Sequence, residues 1–473
     1  MSDVYVSSDL TPVDRAVRPT WVRYGVLAFI CTLALVLYLD RICLGVARIR
    51  IQEQLHITDE QFGLIDVAFM IPYGLFEMPI GRWGDRQGAR GVITRIVLCW
   101  SIFTALTGWM SSFWGFMLIR FLFGAGEAGA FPNAARVISR WFPGRSRGPA
   151  QGIVTASAQI GGAVSPALTA YLIDWIDWRW SFVTYGIVGI VWAAAFYWWF
   201  RDDPAEHSWT NDAERELLAR SAPKVSGVEH PPIPWRLVLS SHNVWLLGAA
   251  MNAGAFGFYM CVNWFPKYLS SARAVALTGT GWLSSTIQMG GACGCLIGGV
   301  LGVWLMNRLG NRRLSRCIVG CCGFTTAGVA IFSITRCETP VAATLCAALA
   351  IFSTQIQLSS WWATVADISG THQAAMFGLM NSMGVFGGSL SNLFFSGFAT
   401  WRAESGYSGR AQWDPAFYVY CGVYMAGALC WMFVNANRSI VQNSDAPDTA
   451  PKPPRTITSQ SLPRLRPEQG PSL

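Results

Sequence analysis

The chain has 473 residues, of which 52% are apolar and only 13% are charged, whereas soluble proteins of similar apolar content carry roughly a quarter charged residues. Its mean hydropathy is +0.34 and it contains 23 tryptophans. This composition leaves too little polar material to cover a soluble globule of this size. It therefore argues against a soluble enzyme and indicates that lipid surrounds most of the chain.

The formal net charge of +8 comes almost wholly from arginines, which fall in short clusters between apolar stretches. Such clusters indicate the topology of a membrane protein and not a nucleic-acid interface. The 13 cysteines are scattered, mostly within apolar stretches, and lack the spacing of metal ligands. We interpret them as small core residues, and we expect no nucleic-acid partner, metal or other cofactor.

Twelve apolar windows are long enough to cross a bilayer as helices, for which about 20 residues suffice. Six precede and six follow one long polar interruption. The sequence thus predicts an all-α membrane protein with twelve transmembrane helices in two pseudo-symmetric six-helix bundles. The windows are residues 21–46, 61–80, 91–110, 113–135, 149–172, 180–200, 243–269, 278–305, 314–334, 340–363, 374–398 and 415–436.

These windows divide the chain into five parts. The two bundles occupy residues 21–200 and 243–436, and a charged, Pro-rich linker with one short amphipathic helix occupies residues 201–242. Residues 1–20 form an N-terminal segment, and residues 437–473 form a tail whose Pro, Ser and Arg content predicts disorder. Arg-rich connections after the second, fourth and eighth windows predict that both termini and the linker are cytoplasmic.

A glycine and arginine motif follows the second window, Gly81-Arg-Trp-Gly-Asp-Arg-Gln-Gly-Ala-Arg90. A related segment, Gly299 to Arg312, occupies the equivalent place after the eighth window. A glycine turn repeated once in each half is expected of two parallel six-helix repeats. We expect Asp85, Arg86 and Arg90 to form a structural and gating loop, because this turn must slide or hinge when the halves move.

Together with the twelve windows and the central linker, this loop signature resembles the major facilitator superfamily. The run from Arg120 to Pro132 and four shorter segments are similar to its anion:cation symporter family: Tyr38 to Arg41, Trp141 to Pro143, Trp178 to Trp180 and Trp264 to Leu269. That family includes bacterial permeases for galactonate, glucarate, hexuronates and tartrate. The resemblance covers about residues 20–436 and implies a multi-pass transporter of the bacterial inner membrane, not an enzyme.

The chain departs from the family in two places. Val303 follows Gly302 in the second-half loop, where the family usually has an aspartate. Asp66 lies early in the second helix, where the family residue is normally small and neutral. Whether Asp66 has a role stays open; its place near the helix end favours a solvated side chain over a proton relay. Glu77 lies on the same face of the second helix as Asp66. We expect it to join Asp85 and the arginine cluster of the loop that follows this helix.

Ionisable groups are rare within the predicted spans, and each costs roughly 2.5–3.5 kcal/mol at a helix centre unless it has a partner or a function. The opposite directions of the first and fourth helices bring Asp40 and Arg120 to similar depth. Arg120 and Glu127, seven residues apart, share one helix face. We expect these three residues and Arg41 to line one cavity, with Asp40 facing Arg120. A static Asp40–Arg120 pair that fixes helix packing is the alternative.

In the family, the positions matching Asp40, Arg120 and Glu127 are associated with proton coupling. The positions matching Arg41, Tyr38 and Tyr73 are associated with the substrate. Arg41 also has the right chemistry for an anion, because its planar guanidinium can grip a carboxylate through two parallel hydrogen bonds. Hydroxyl and amide side chains in other spans suit a polyol, although such groups also join helices. The predicted substrate site is Tyr38, Arg41, Tyr73, Gln159, Ser359 and Asn381.

The predicted function is proton-coupled import of an organic anion, a sugar acid such as an aldonate, aldarate or hexuronate, by alternating access. The expected partners are the anion, the proton and the bilayer, and we expect a monomer. Three alternatives stay open: another carboxylate such as tartrate or phthalate, sodium in place of the proton, and a transporter-like anion receptor that signals through linker and tail. A membrane enzyme is disfavoured, because the sequence offers no nucleophile with a base, metal cluster or phosphate loop.

Overall fold

The computed structural model describes residues 18–221, 235–369 and 373–436. The predictions for the start of the N-terminal segment, the Pro-rich part of the linker and the C-terminal tail lie outside the described residues. A π-helical turn occupies Met260–Trp264. Helices α1 to α16 are, in chain order, Val22–Leu55, Asp59–Gln87, Ala89–Thr107, Phe113–Glu127, Ala130–Trp141, Gly144–Trp199, Asp212–Ser221, Trp235–Ser240, His242–Tyr259, Phe265–Arg273, Leu277–Leu309, Arg312–Ile334, Pro340–Ser369, Gln373–Glu404, Arg410–Trp413 and Ala416–Phe433.

The helices of the described residues make twelve spans, six before and six after the linker. Helices α4 and α5 together form one span, and α9, the π-helical turn and α10 form another. Helix α6 contains two spans, because Asp177 has a φ of 74° that breaks the helix. Each predicted window overlaps one of these spans. The prediction of an all-α membrane protein with twelve transmembrane helices is therefore confirmed.

Each bundle has its own apolar core. In the first, large buried side chains such as Trp100 and Trp141 pack among α1, α3, α5 and α6. In the second, buried Trp361 of α13 donates to the Leu247 carbonyl oxygen of α9, and buried Trp431 of α16 packs against Gly320 of α12. The outward faces of both bundles remain rich in exposed large apolar side chains. Apolar surface of this extent is expected where lipid is the solvent.

Helix α4 stops inside the first bundle, where a break in the backbone separates it from α5. Helix α4 ends at Glu127, and Gly129 has a φ of 80°, a left-handed conformation that favours glycine. A methyl group on Gly124 would collide with the carbonyl oxygen of Phe69 on α2. Glycines in this run therefore allow α4 to lie directly against α2.

The start of the linker folds back onto the first bundle. The Asp202 carboxylate accepts hydrogen bonds from the backbone N–H groups of Ala89 and Arg90, at 2.7 and 3.0 Å, and so caps α3. On α7, Glu214 is buried and pairs with Arg23 near the start of α1. We call the end of the bundles that carries these contacts the linker side, and the opposite end, where α1 finishes, the far side.

The two bundles meet along α2 with α14, along α6 with α11, and where α1 meets the turn before α10. Close to the far side, Lys267 Nζ lies 4.0 Å from Asp59 Oδ1, and Ala167 N–H donates to Ser285 Oγ at 3.0 Å. These contacts hold the halves together at the far side.

One close backbone approach between the bundles lies between α1 and the π-helical turn. Residues of α1 three and four positions apart face the same side, and Gly45 occupies the face directed at this turn. A methyl group on Gly45 would lie 2.6 Å from the carbonyl oxygen of Val262. Because that atom belongs to the backbone, it cannot rotate away as a side chain would. Glycine at this position is therefore a condition for closing the far side.

We expect Gly45→Ala to weaken far-side closure by about 1–3 kcal/mol, the usual cost of overpacking. Hydrogen–deuterium exchange in peptides that cover residues 259–264 should then be faster than in the parent, by roughly fivefold or more. Gly299→Ala on α11 is the matched control, because a methyl group there meets open space. Exchange in Gly45→Ala equal to that of the parent would contradict the close approach.

Candidate functional site

The central feature of the first bundle is an ion pair between Arg41 on α1 and Glu127 at the end of α4. The Nε and Nη2 groups of Arg41 both donate to Glu127 Oε1, with an Nε to Oε1 distance of 2.9 Å. The Glu127 side chain is 1% exposed and that of Arg41 is 13% exposed. The pair thus joins two spans within the bundle and leaves only the arginine accessible.

This pairing corrects one expectation. We predicted that Asp40 would face Arg120 while Arg41 faced the cavity; among the described residues, no ion pair within 4 Å joins Asp40 to Arg120. Asp40 and Arg120 are both buried, and Asp40 Oδ2 and Arg120 Nε each lack a hydrogen-bond partner among the residues that the structure describes. The Arg120 guanidinium lies over the ring of Phe123, 4.7 Å from its centre. Glu127, which shares α4 with Arg120, pairs with Arg41 instead.

Aromatic rings surround the Arg41 guanidinium. Its central carbon lies 4.6 Å from the ring centre of Tyr73, 5.4 Å from that of Phe69 and 5.6 Å from that of Tyr38. Cation–π contacts of this kind stabilise a partly desolvated cation. The structure therefore brings together three of the predicted substrate residues, Tyr38, Arg41 and Tyr73. Tyr259 of the second bundle, which the sequence analysis missed, is close enough to interact electrostatically with Arg41.

The other predicted substrate residues have different neighbours. The Gln159 amide nitrogen approaches Gly291, where α6 meets α11. Ser359 packs inside the second bundle, with its hydroxyl 3.5 Å from the Cys295 carbonyl oxygen. Asn381 donates to Glu77 Oε2 at 2.9 Å across the two bundles. Gln159 thus lies at the boundary between the halves, whereas Ser359 and Asn381 are engaged in helix contacts.

The loop predicted to act in gating is only partly described. The Asp85 side chain lies outside the described part, and Arg86 is exposed at the end of α2. Arg90 donates from Nε and Nη2 to the Tyr197 carbonyl oxygen, at 2.9 and 2.6 Å, within the first bundle. These bonds anchor α3 to α6, and a role of the loop in gating stays a prediction.

Glu77, which we expected to join Asp85 and the arginine cluster, contacts the second bundle, while the Asp85 side chain lies outside the described residues. The Glu77 carboxylate bonds to the Asn381 amide of the second bundle. Sequence reasoning could not foresee this contact, because it depends on how the two bundles meet.

A second buried ion pair was missed by the sequence analysis. Arg48 on α1 donates from Nη2 to Asp66 on α2, and both side chains are buried, at 0% and 4% exposed. The expectation of a solvated Asp66 was therefore wrong. The sequence does contain one indication of this pair: Arg48 follows Arg41 by seven residues and so lies on the same helix face. The first predicted span ended at residue 46, whereas α1 continues to Leu55.

Comparison with known proteins identifies the family. The Major Facilitator Superfamily profile matches residues 30–392. The chain belongs to this superfamily. Solved structures share the fold: a bacterial homologue of the human lysosomal transporter Spinster, in an inward-facing and unoccupied conformation, aligns with a TM-score of 0.67 at 19% identity over 87% of this chain and 94% of its own. The xylose transporter of Escherichia coli in an inward-open conformation aligns with a TM-score of 0.65 at 12% identity, over 87% and 96%.

Several curated relatives are named as transporters of organic anions. The chain is 28% identical to a probable sulfoacetate transporter of Cupriavidus necator, over 90% of this chain and 96% of the relative. It is 27% identical to a probable L-galactonate transporter of Escherichia coli, over 89% and 91%. It is 24% identical to a hexuronate transporter of Bacillus subtilis, over 78% and 87%. These relatives agree with the resemblance to anion:cation symporters, and the protein is a multi-pass membrane transporter and not an enzyme.

Proposed function

We propose that this protein imports an organic anion, a sugar acid, together with protons across the bacterial inner membrane. The observation that carries the proposal is the ion pair of Arg41 with Glu127. It combines a cation that can bind a carboxylate with an acidic group that can carry a proton, and Arg41 is the member that remains accessible. The relatives named for sulfoacetate, galactonate and hexuronate support an anionic substrate.

Competition for Arg41 supplies the coupling in this proposal. A guanidinium has five N–H donors, of which Glu127 Oε1 receives one from Nε and one from Nη2. A substrate carboxylate that grips the same edge must displace Glu127. Displacing a charged Glu127 would leave a carboxylate buried and unpaired, at a cost of several kcal/mol. Protonation of Glu127 removes that cost, so anion and proton bind together and leave together.

The substrate would lie between the bundles near Arg41. Tyr38, Tyr73 and Gln159 of the first bundle offer hydroxyl and amide groups to a polyol, and Tyr259 approaches from the second bundle. A sugar acid matches this combination of one cation with neutral polar groups. A sulfonate is the second candidate, because the sulfoacetate transporter shares 28% identity with this chain over nearly its whole length.

Alternating access follows from the way the bundles meet. Under the positive-inside rule, the linker side is cytoplasmic and the far side faces outward. The far-side contacts at Gly45, Lys267 and Ser285 would then close the outward path in this conformation. Opening of these contacts would expose Arg41 to the outside. Both termini would remain cytoplasmic throughout.

We expect uptake into proteoliposomes to follow an imposed inward proton gradient and to stop when a protonophore is added. Radiolabelled galactonate, glucuronate and sulfoacetate form the substrate panel, and phthalate tests the wider class of carboxylates. The physical reason is that Glu127 can release Arg41 only when a proton is supplied. Accumulation that needs sodium and survives collapse of the proton gradient would contradict proton coupling. Specific binding without accumulation would favour the receptor alternative.

Changing Glu127 to Gln should abolish concentrative uptake while preserving substrate binding and counterflow exchange. The amide keeps the shape of the side chain but neither gains nor loses a proton, so anion movement is no longer tied to proton movement. Glu53→Gln is the control, because it removes an exposed carboxylate from the far end of α1. Concentrative uptake at the parent level in Glu127→Gln would assign Glu127 to packing alone.

Changing Arg41 to Lys should weaken substrate binding more than about tenfold, equivalent to about 1.4 kcal/mol. Lysine keeps the charge but cannot offer two parallel hydrogen bonds from a planar fork. Binding is measured by equilibrium titration of the purified protein. Arg50→Lys, an exposed substitution on the same helix, is the matched control. Unchanged affinity in Arg41→Lys would mean that the carboxylate is held elsewhere.

A further inference from the structure

Three residues of α1 lie on one face against the same short segment of the second bundle. Arg41, Gly45 and Arg48 are separated by four and three residues, the spacing of a single helix face. Tyr259 is near Arg41, the Val262 carbonyl oxygen covers Gly45, and Trp264 covers Arg48, with the guanidinium carbon 4.0 Å from its ring centre. The segment from Tyr259 to Trp264 thus covers this face from the central site to the far side.

The two arginines on this face have similar surroundings. Each pairs with a carboxylate from a neighbouring helix of the first bundle, Glu127 for Arg41 and Asp66 for Arg48. Each also lies over aromatic rings; for Arg48 one is Phe62, whose ring centre is 4.5 Å from the guanidinium carbon. Seven residues of helix separate them, or about 10.5 Å at 1.5 Å per residue. Arg48 therefore repeats the chemistry of the central site two turns nearer the far side.

Arg48 differs from Arg41 in having unused donors. Its side chain is fully buried, and Nε and Nη1 have no hydrogen-bond partner in the described part of the chain. Asp66 occupies Nη2 alone. A buried guanidinium with two unpartnered nitrogens is unfavourable, because each lost hydrogen bond to a charged donor costs free energy. Packing alone does not explain an arginine here, since an apolar residue would fill the same space under Trp264 without that cost.

We propose that Arg48 is a second anion-binding site, on the far-side access path, where the substrate anion binds before it reaches Arg41. Trp264 covers this site in the present conformation. When the segment from Tyr259 to Trp264 moves away, the free N–H groups of Arg48 face the opening between the bundles. Asp66 is the resident counter-ion that holds Arg48 when no anion is present. The inference rests on the proposed function only in that the cargo is an organic anion.

The alternative is that Arg48, Asp66 and Trp264 form a latch that only holds the far side closed. The two roles predict different effects of two substitutions on the affinity of transport for the anion. If the pair is a latch, Arg48→Gln and Asp66→Asn both remove the same ion pair. Both substitutions should then change the KM of transport in the same direction. If Arg48 binds the anion, loss of Arg48 weakens capture, whereas loss of the competing Asp66 carboxylate strengthens it.

The experiment measures KM for counterflow into proteoliposomes from the far side, with radiolabelled galactonate tried first and the preferred anion of the substrate panel thereafter. Counterflow needs no proton gradient, so it separates this proposal from proton coupling. We expect Arg48→Gln to raise KM about tenfold, equivalent to about 1.4 kcal/mol, and Asp66→Asn to lower it about threefold. Arg50→Gln, on the same helix but exposed, should leave KM unchanged.

Changes of KM in the same direction in both variants, or no change in either, would overturn the proposal in favour of a latch. Should Arg48→Gln fail to fold, Asp66→Asn decides alone: a lower KM supports the site, and an equal or higher KM overturns it. A parent protein that shows no counterflow of any anion would refute the proposed function and the second site with it. Parent counterflow together with uptake that does not respond to an imposed proton gradient would refute only the coupling.

Discussion

The structure depends on the need to pair a buried guanidinium. Arg41 lies in the interior of a membrane protein, where a charge without a counter-ion costs several kcal/mol. Glu127 meets this need because α4 ends there and the glycines of that run let α4 lie against α2. The aromatic rings of Tyr38, Phe69 and Tyr73 supply the remaining contacts. Helix breaks, small residues and aromatic side chains of the first bundle thus serve one electrostatic requirement.

The same requirement constrains motion. An arginine that must always be paired can release its carboxylate only when another anion arrives or a proton neutralises the partner. In the proposed mechanism, this makes the occupancy of Arg41 depend on the protonation of Glu127. The Arg48 and Asp66 pair extends the constraint toward the far side. Opening of the bundles is then tied to changes of partner at two arginines on one face of α1.

Hydropathy was sufficient to predict the twelve spans, because span length and apolar composition are local properties of the chain. The buried charges Asp40, Arg41, Arg120 and Glu127 could also be located, since ionisable residues are conspicuous in apolar windows. Their pairing could not, because it depends on side-chain reach and on the break after Glu127. Arg48 was missed for a different reason: α1 extends beyond the apolar window that defined the first span.

The π-helical turn has a consequence for sequence variation. In this turn the backbone N–H of Phe265 bonds to the Met260 carbonyl oxygen, five residues back, so residues five apart lie one above the other. Tyr259 and Trp264 therefore both face α1, whereas an α-helix would point them about 140° apart. Loss of one residue from this turn would leave an α-helix in which the two aromatic positions are four residues apart and only about 40° apart around the axis, so both would still face α1. A chain one residue shorter here can therefore keep the same interface with a regular α-helix. Refolding of the turn as α-helix at its present length would instead turn everything after it, including Lys267, by about 100° relative to α1.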